Sequence, residues 1–217
     1  MSASSNDKNQ LVLGYWAIRG LVEPIRLALH YAKVPFTDKT YEQGEGPEFS
    51  REQWLSEKEK LGLDFPNLPY LIDGDLKMTQ SKAILYYLGR KFNLLGKTPA
   101  EEAYVMMLCE EVFDVKIQIS DFVYSPKGES KDERKQFVEK TFADQPTVAD
   151  FQLFDFLDSG FAVDDENTLI EKFPNTKQFL NTIRELPELS DYIAKAQAKF
   201  PINNKVAKFG GKVLERK

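Results

Sequence analysis

LDFPNLPYLIDGDLKMTQSKAI, residues Leu63 to Ile84, is the stretch whose reading decides the fold. It opens with a turn rich in proline and asparagine. Pro69 to Ile72 then reads as a strand that runs into the tight turn Asp73-Gly74-Asp75. Leu76 to Thr79 reads as a second short strand, and Gln80-Ser81 open a helix. A strand-turn-strand that ends on a polar helix start presents unpaired backbone N–H groups there. The helix dipole adds partial positive charge at the same point. Such a place holds a carboxylate or phosphate without a cationic side chain. Read from the residues alone, Gln80 and Ser81 hold a small anionic ligand. The plainer alternative is that Ser81 merely caps the helix, which is common.

Upstream, Leu11 to Tyr15 form a short apolar strand. Gly20 and Pro24 punctuate the entry to a helix whose Ile25, Leu29 and Ala32 fall at helical spacing. Residues 35–41 can form a second strand, residues 42–54 a polar loop, and residues 51–60 a short charged helix. Lys82 to Phe92 form the helix that backs the two later strands. The order β-α-β-loop-β-β-α describes a small α/β layer with helices covering a mixed sheet.

Downstream the character changes. Residues 92–99 read as a linker, and Thr98 can cap a helix with Glu101 and Glu102 in its first turn. Tyr104, Leu108, Val112, Val115, Ile119 and Phe122 mark the apolar stripe expected to pack. Pro126 and Gly128 break that helix, and Lys131 to Lys140 read as a short charged one. Thr147 to Asp150 have the form of a capping motif before a helix carrying Phe151, Phe154 and Leu157 in register. Asp164 to Phe173 connect to two amphipathic helices, Thr176 to Leu186 and Leu189 to Ala198, ahead of a basic tail. The expected domains are a disordered leader 1–10, an α/β domain 11–91, a linker 92–99 and an all-helical domain 100–217.

Composition narrows the chemistry. The 217 residues carry a net charge of −5, which disfavours nucleic acid or an anionic membrane as the main partner, since both need basic surface. No apolar run reaches the roughly 20 residues that span a bilayer. The polar N-terminus lacks the apolar core of a signal peptide. A single cysteine, Cys109, excludes an internal disulfide and any CxxC pattern. The single histidine, His30, leaves too few ligands for zinc and lies in an apolar helical pattern unsuited to a Ser-His-Asp triad. The expectation is a protein of a reduced compartment whose chemistry uses neither metal nor histidine.

LGYWAIRGLVEPIRLAL (residues 13–29) and EFSREQWLSEKEKLGLDFPNLPYLIDGDLKMTQSKAILYYLGRK (residues 48–91) together resemble the mu class of cytosolic glutathione transferases. The likeness runs over residues 11–96 and returns at TVADFQLFDFLD and KFPNTKQF. It implies an α/β thioredoxin-like N-terminal domain followed by an all-α C-terminal domain, in a two-fold homodimer in the cytoplasm. The implied activity is conjugation of the glutathione thiol to electrophilic small molecules, a detoxification chemistry. Glutathione would be a co-substrate, with no cofactor and no metal.

The resemblance also implies roles, position by position. Tyr15, otherwise a strand-end aromatic on the core, matches the thiol-activating tyrosine, followed by Trp16 at the glutathione site. A free thiol has a pKa near 8.5, so only a few per cent is thiolate at neutral pH. A phenol O–H donated to the sulfur favours the charged form. Gln80 and Ser81 match the groups holding the γ-glutamyl carboxylate. Leu68, before a cis Pro69, matches the residue whose backbone pairs with the ligand peptide. Trp54, Lys58 and Asn67 match the glycyl end, with Arg51 assisting. Asp114 matches an acidic residue that reaches the glutathione amine across the dimer. Tyr124 matches a second tyrosine facing the electrophile. Phe65 resembles the aromatic key that enters a pocket on the partner subunit.

The chain departs from the family between Val138 and Thr147, where on the order of 15 residues are missing, more than 20 Å if helical at 1.5 Å per residue. A rearranged helical domain with a weaker dimer, or a variant form of reduced stability, is the expected consequence. The main rival to an enzyme is a non-catalytic protein that binds glutathione or apolar ligands. A thiol-disulfide oxidoreductase on the same fold needs a reactive cysteine after the first strand, where this chain has Tyr15-Trp16.

Overall fold

Leu11, Leu13 and Tyr15 are buried along β1 (Leu11–Trp16), the strand on which the N-terminal layer is built. In the computed structural model, which describes residues 11–124, 148–163, 174–205, 207, 211 and 213, β1 lies inside a four-stranded sheet of order β2-β1-β3-β4. It runs parallel to β2 (Phe36–Tyr41) and antiparallel to β3 (Tyr70–Asp73). β3 pairs antiparallel with β4 (Leu76–Thr79) through the Gly74 turn, where φ is +62°. The strand pair and turn read from residues 69–79 are therefore present.

Burial on both faces explains why β1 reads as a continuous apolar run rather than an alternating one. It also explains Gly14. A Cβ there would lie 2.1 Å from the ring of Tyr70, its partner across the β1–β3 ladder. Three helices cover the sheet. α1 (Glu23–Tyr31) starts with Pro24 in its first turn, where a missing N–H costs nothing. α2 is Glu52–Lys58, and α3 is Ser81–Lys91, burying Ile84, Leu85 and Leu88.

The helical half begins with α4 (Pro99–Tyr124). Its start is a capping box: Glu101 N–H donates to Thr98 Oγ1 at 3.2 Å, and Thr98 N–H donates to the Glu101 carboxylate at 2.9 Å. The expected packing stripe of α4 holds at Leu108 and Val112, which pack against the core, and is corrected at Tyr104. Val105 and Cys109 are the buried positions and Leu108 and Val112 are half-buried, whereas Tyr104 is 59% exposed. Met107 and Ile117 are exposed as well, so α4 is apolar on more than one face. Periodicity alone then does not single out the packed face. Val115, Ile119 and Phe122 have side chains outside the description.

α5 (Val148–Val163) buries Phe151, Phe154 and Leu157 as expected. α6 (Pro174–Arg184) and α7 (Ser190–Lys199) complete the described helices, and α4 and α1 both pack on α5. The leader, the charged helix 131–140, the shortened interval before Thr147, the connection 164–173 and most of the tail lie outside the described residues.

Candidate active site

Tyr15 reaches the site from the end of β1, and its side chain is 6% exposed. Its phenol oxygen accepts a hydrogen bond from Leu21 N–H at 3.2 Å. Burial pushes its pKa up to about 12, opposed by the Leu21 bond and by Arg26 and reinforced by Tyr124 and Asp155. The group therefore stays a phenol throughout the neutral range, which is the form that can donate a proton to an anion. Gly20, at φ +43°, makes this arrangement possible. A Cβ on Gly20 would lie 2.8 Å from the Tyr15 oxygen.

The loop between β1 and α1 is fastened on two sides. Arg19 N–H donates to Pro201 O at 3.0 Å and Gly20 N–H to Ile202 O at 3.2 Å, so the chain after α7 runs beside it. On the other side, Arg19, 2% exposed, donates to Asp155 (Nη2 to Oδ1, 2.7 Å) and to Asp158 (Nη1 to Oδ2, 2.7 Å). Asp158 also accepts from Arg184 at 2.6 Å, and Lys116 is ion-paired with Asp155. Arg26, fully buried, donates to Asp38 at 3.0 Å and to Ile18 O at 2.8 Å, with its guanidinium 4.7 Å over the Phe200 ring. The effective cost of burying each ion is several kcal/mol. Burying the Phe151, Phe154 and Leu157 side chains beside them supplies roughly 1.5–3 kcal/mol each, an offset of the same order.

Sequence reasoning missed this cluster. A signal was present in TVADFQLFDFLD, where Asp155 and Asp158 fall three apart on a helix of buried aromatics. Carboxylates in an apolar face require paired cations, which the buried Arg19 and the partly exposed Arg184 supply.

The other expected residues lie at the start of α3, in the loop before β3 and on α2. Gln80 occupies the cap position with φ +73°, and Ser81 is the first helical residue. No side-chain hydrogen bond caps this helix, so the plain capping reading of Ser81 is corrected. The Leu68–Pro69 bond is cis, as the resemblance implied. Leu68 N–H, however, donates to Asn67 Oδ1 at 2.9 Å, so this half of the Leu68 backbone already has a partner.

Trp54 is 5% exposed, stacked on Tyr70 (centroids 6.1 Å apart) and edge-on to Tyr41 (5.4 Å). Tyr41 and Tyr70 hydroxyls lie 3.0 Å apart, and Tyr41 O–H also donates to Glu57 at 2.9 Å. Hydrogen bonds from Lys39 and Tyr41 hold the Glu57 carboxyl below its ordinary range. This chain of contacts fixes α2, and with it Lys58, which is half-exposed, against the sheet. Arg51 caps α2 by position and is exposed.

Three residues stand apart. Tyr124, at the end of α4, accepts a hydrogen bond from Asn204 N–H at 3.1 Å, and burial raises its pKa above that of an ordinary phenol. Asp114 is exposed on α4. Phe65 is 77% exposed, on a loop pinned by Thr79 O–H donating to Phe65 O at 3.0 Å. Trp16 and Ala17 line an open cavity of about 300 Å³ together with Phe200 and Asn204. Among the described residues no group of three metal-ligating side chains occurs, and no helix is long and apolar enough to cross a membrane.

Residues 11–90 match the family model for the glutathione S-transferase N-terminal domain, and residues 141–196 that for the C-terminal domain. The chain is 42% identical to glutathione S-transferase Mu 2 of Mus musculus, covering 86% of this chain and 92% of that protein. It is 38% identical to glutathione S-transferase Mu 3 of Homo sapiens, covering 94% and 97%. The solved pi-class glutathione S-transferase of Onchocerca volvulus superposes with a TM-score of 0.77 at 30% identity, covering 91% of this chain and 99% of that one. The alignment to the Mus musculus protein spans 202 positions but uses 86% of these 217 residues, so about 15 of its positions have no counterpart here.

Proposed function

The chain belongs to the glutathione S-transferases of the mu class, enzymes that join the sulfur of glutathione to an electrophile, and we propose that Tyr15 is the residue that activates the thiol. The buried phenol oxygen carries this reading, because it accepts from Leu21 N–H and keeps its own proton to donate. A donated O–H favours thiolate over thiol. Lowering the thiol pKa by about two units takes roughly 2.7 kcal/mol, the scale of one charge-assisted hydrogen bond with supporting dipoles. The released thiol proton passes to solvent. The thiolate lone pair then forms the sulfur–carbon bond, and the leaving group departs with the electrons of the broken bond. Holding both reactants together contributes through orientation.

Glutathione is held along the edge built from β3, α2 and α3. The N–H groups at Ser81 and the side chain of Gln80 take the γ-glutamyl carboxylate. Leu68 aligns the peptide. Trp54, Lys58, Asn67 and Arg51 take the glycyl end, and Trp16 borders the thiol. Tyr124 faces the electrophile. In the dimer, Phe65 enters the partner subunit and Asp114 reaches the glutathione amine of the partner's site. The enzyme works in the cytoplasm on foreign or damaging electrophiles, with glutathione as co-substrate and no cofactor.

The test is conjugation of a general aryl halide, followed spectrophotometrically beside retention on immobilised glutathione. Retention together with turnover supports the reading. Retention without turnover contradicts it and favours a binding protein.

A further inference from the structure

Gly20 and Leu21 share one peptide group, and that group stands between two side chains. Its carbonyl accepts a hydrogen bond from Lys116 Nζ at 2.8 Å. Its N–H donates to the Tyr15 phenol oxygen at 3.2 Å. In a planar trans peptide, C=O and N–H point in opposite directions. The Lys116 cation therefore sits at the negative end of one amide dipole and the Tyr15 oxygen at its positive end. A cation bonded to a carbonyl draws electron density from the amide, and its N–H becomes a stronger donor. The phenol oxygen that accepts this N–H is held with its own proton directed elsewhere.

Lys116 is itself held in place. It is ion-paired with Asp155 of α5, whose other oxygen accepts from Arg19 in the same loop at 2.7 Å. Its side chain is 17% exposed. Among the described residues, the ionisable groups around this unit are Asp155 and Asp158 on α5, Arg19 in the loop, Glu23 and Arg26 on α1, Lys82 on α3 and Tyr124 on α4.

We infer that Lys116, on the first helix of the helical half, is a positioning residue for thiol activation: through the Gly20–Leu21 peptide it orients the Tyr15 hydroxyl and strengthens it as a donor. The inference rests on the reading of Tyr15 as the donor to sulfur. It gives the helical half a part in the chemistry of a thiol bound by the N-terminal half.

Lys116→Met, Lys116→Arg and Tyr15→Phe separate the possibilities, each assayed as the full chain. The readouts are the ultraviolet titration of bound glutathione thiol and the pH profile of kcat/KM with an aryl halide. Lys116→Met raises the thiol midpoint and lowers the rate about threefold below that midpoint, equivalent to roughly half a pKa unit. The high-pH plateau and the KM for glutathione stay within about twofold of wild type, as expected when binding is untouched. Lys116→Arg, which keeps cation and donor, restores most of the shift. If Lys116→Met loses its folded circular-dichroism signal, Lys116→Gln, neutral and of similar reach, shifts the midpoint in the same direction. A midpoint that moves in Tyr15→Phe but not in the Lys116 variants overturns the inference alone, as does an equal loss of rate at every pH. A midpoint unmoved in Tyr15→Phe overturns the underlying reading and the inference with it.

Discussion

Residues 11–91 and the helices after residue 98 are held by different kinds of contact. In the first region the sheet closes on apolar packing, on the polar chain Tyr70–Tyr41–Glu57–Lys39, and on the buried Arg26, which pairs with Asp38 and Glu23 of the same region. In the second, α5 presents two fully buried carboxylates to a loop more than 130 residues away in sequence. The edge proposed to hold glutathione belongs to the first region. The Tyr15 hydroxyl belongs to the first region too, yet the loop that orients it is fastened to the second by Arg19, Gly20 and Lys116. Binding and thiol activation should therefore fail separately when the two regions are disturbed.

The largest expected loss of stability is in the buried cluster. Asp158→Ala leaves the buried Arg19 short of a partner and frees Arg184, which is partly exposed. Breaking a buried pair from one side costs about 3–5 kcal/mol, a fall in Tm on the order of 10 °C for a chain of this size. A thermal scan showing less than a degree of change would mean the cluster does not hold the two regions together.

Gly14→Ala probes the first region. Alanine in place of glycine in a strand ordinarily gains about 0.5–1 kcal/mol. Here the added methyl meets the Tyr70 ring, so a loss of about 1–3 kcal/mol is expected from urea unfolding. A gain would show that Tyr70 and its partners move aside freely.

The smallest effect concerns Tyr15 itself. Its pKa is raised above the unfolded value, to about 12. The folded chain therefore holds that proton more tightly than the unfolded one. The resulting stability is fully present below about pH 10 and is lost as pH rises through about 12. Activity, by the same token, should climb with thiol ionisation and show no decline from Tyr15 below about pH 10. A falling limb near pH 8 that disappears in Tyr15→Phe would contradict this.

Much of the N-terminal region was legible in the sequence. Gly74 and its flanking aspartates mark the β3–β4 turn, Pro24 marks the start of α1, and the polar pair Gln80-Ser81 marks a helix start suited to an anion. The site roles of Trp54, Lys58 and Asp114 came from resemblance, because single residues of these types on helices carry no signal of their own. The packed face of α4 was read correctly at Leu108 and Val112 but not at Tyr104, because Tyr104, Met107 and Ile117 make its exposed side apolar too. The Arg19–Asp155–Lys116 contacts were not legible, because side chains 39 to 136 residues apart meet only once both regions are folded. The missing stretch of about 15 residues was visible as a short interval before Thr147, and the alignment to the Mus musculus relative leaves a similar number of positions without a counterpart somewhere along its length.

The most direct measurement is the ultraviolet titration of glutathione bound to the wild-type chain and to Tyr15→Phe. The wild-type thiol should titrate about two units below its free value near 8.5. In Tyr15→Phe the midpoint should return most of the way to that value while glutathione affinity is kept. The same depressed midpoint in both proteins would contradict the account.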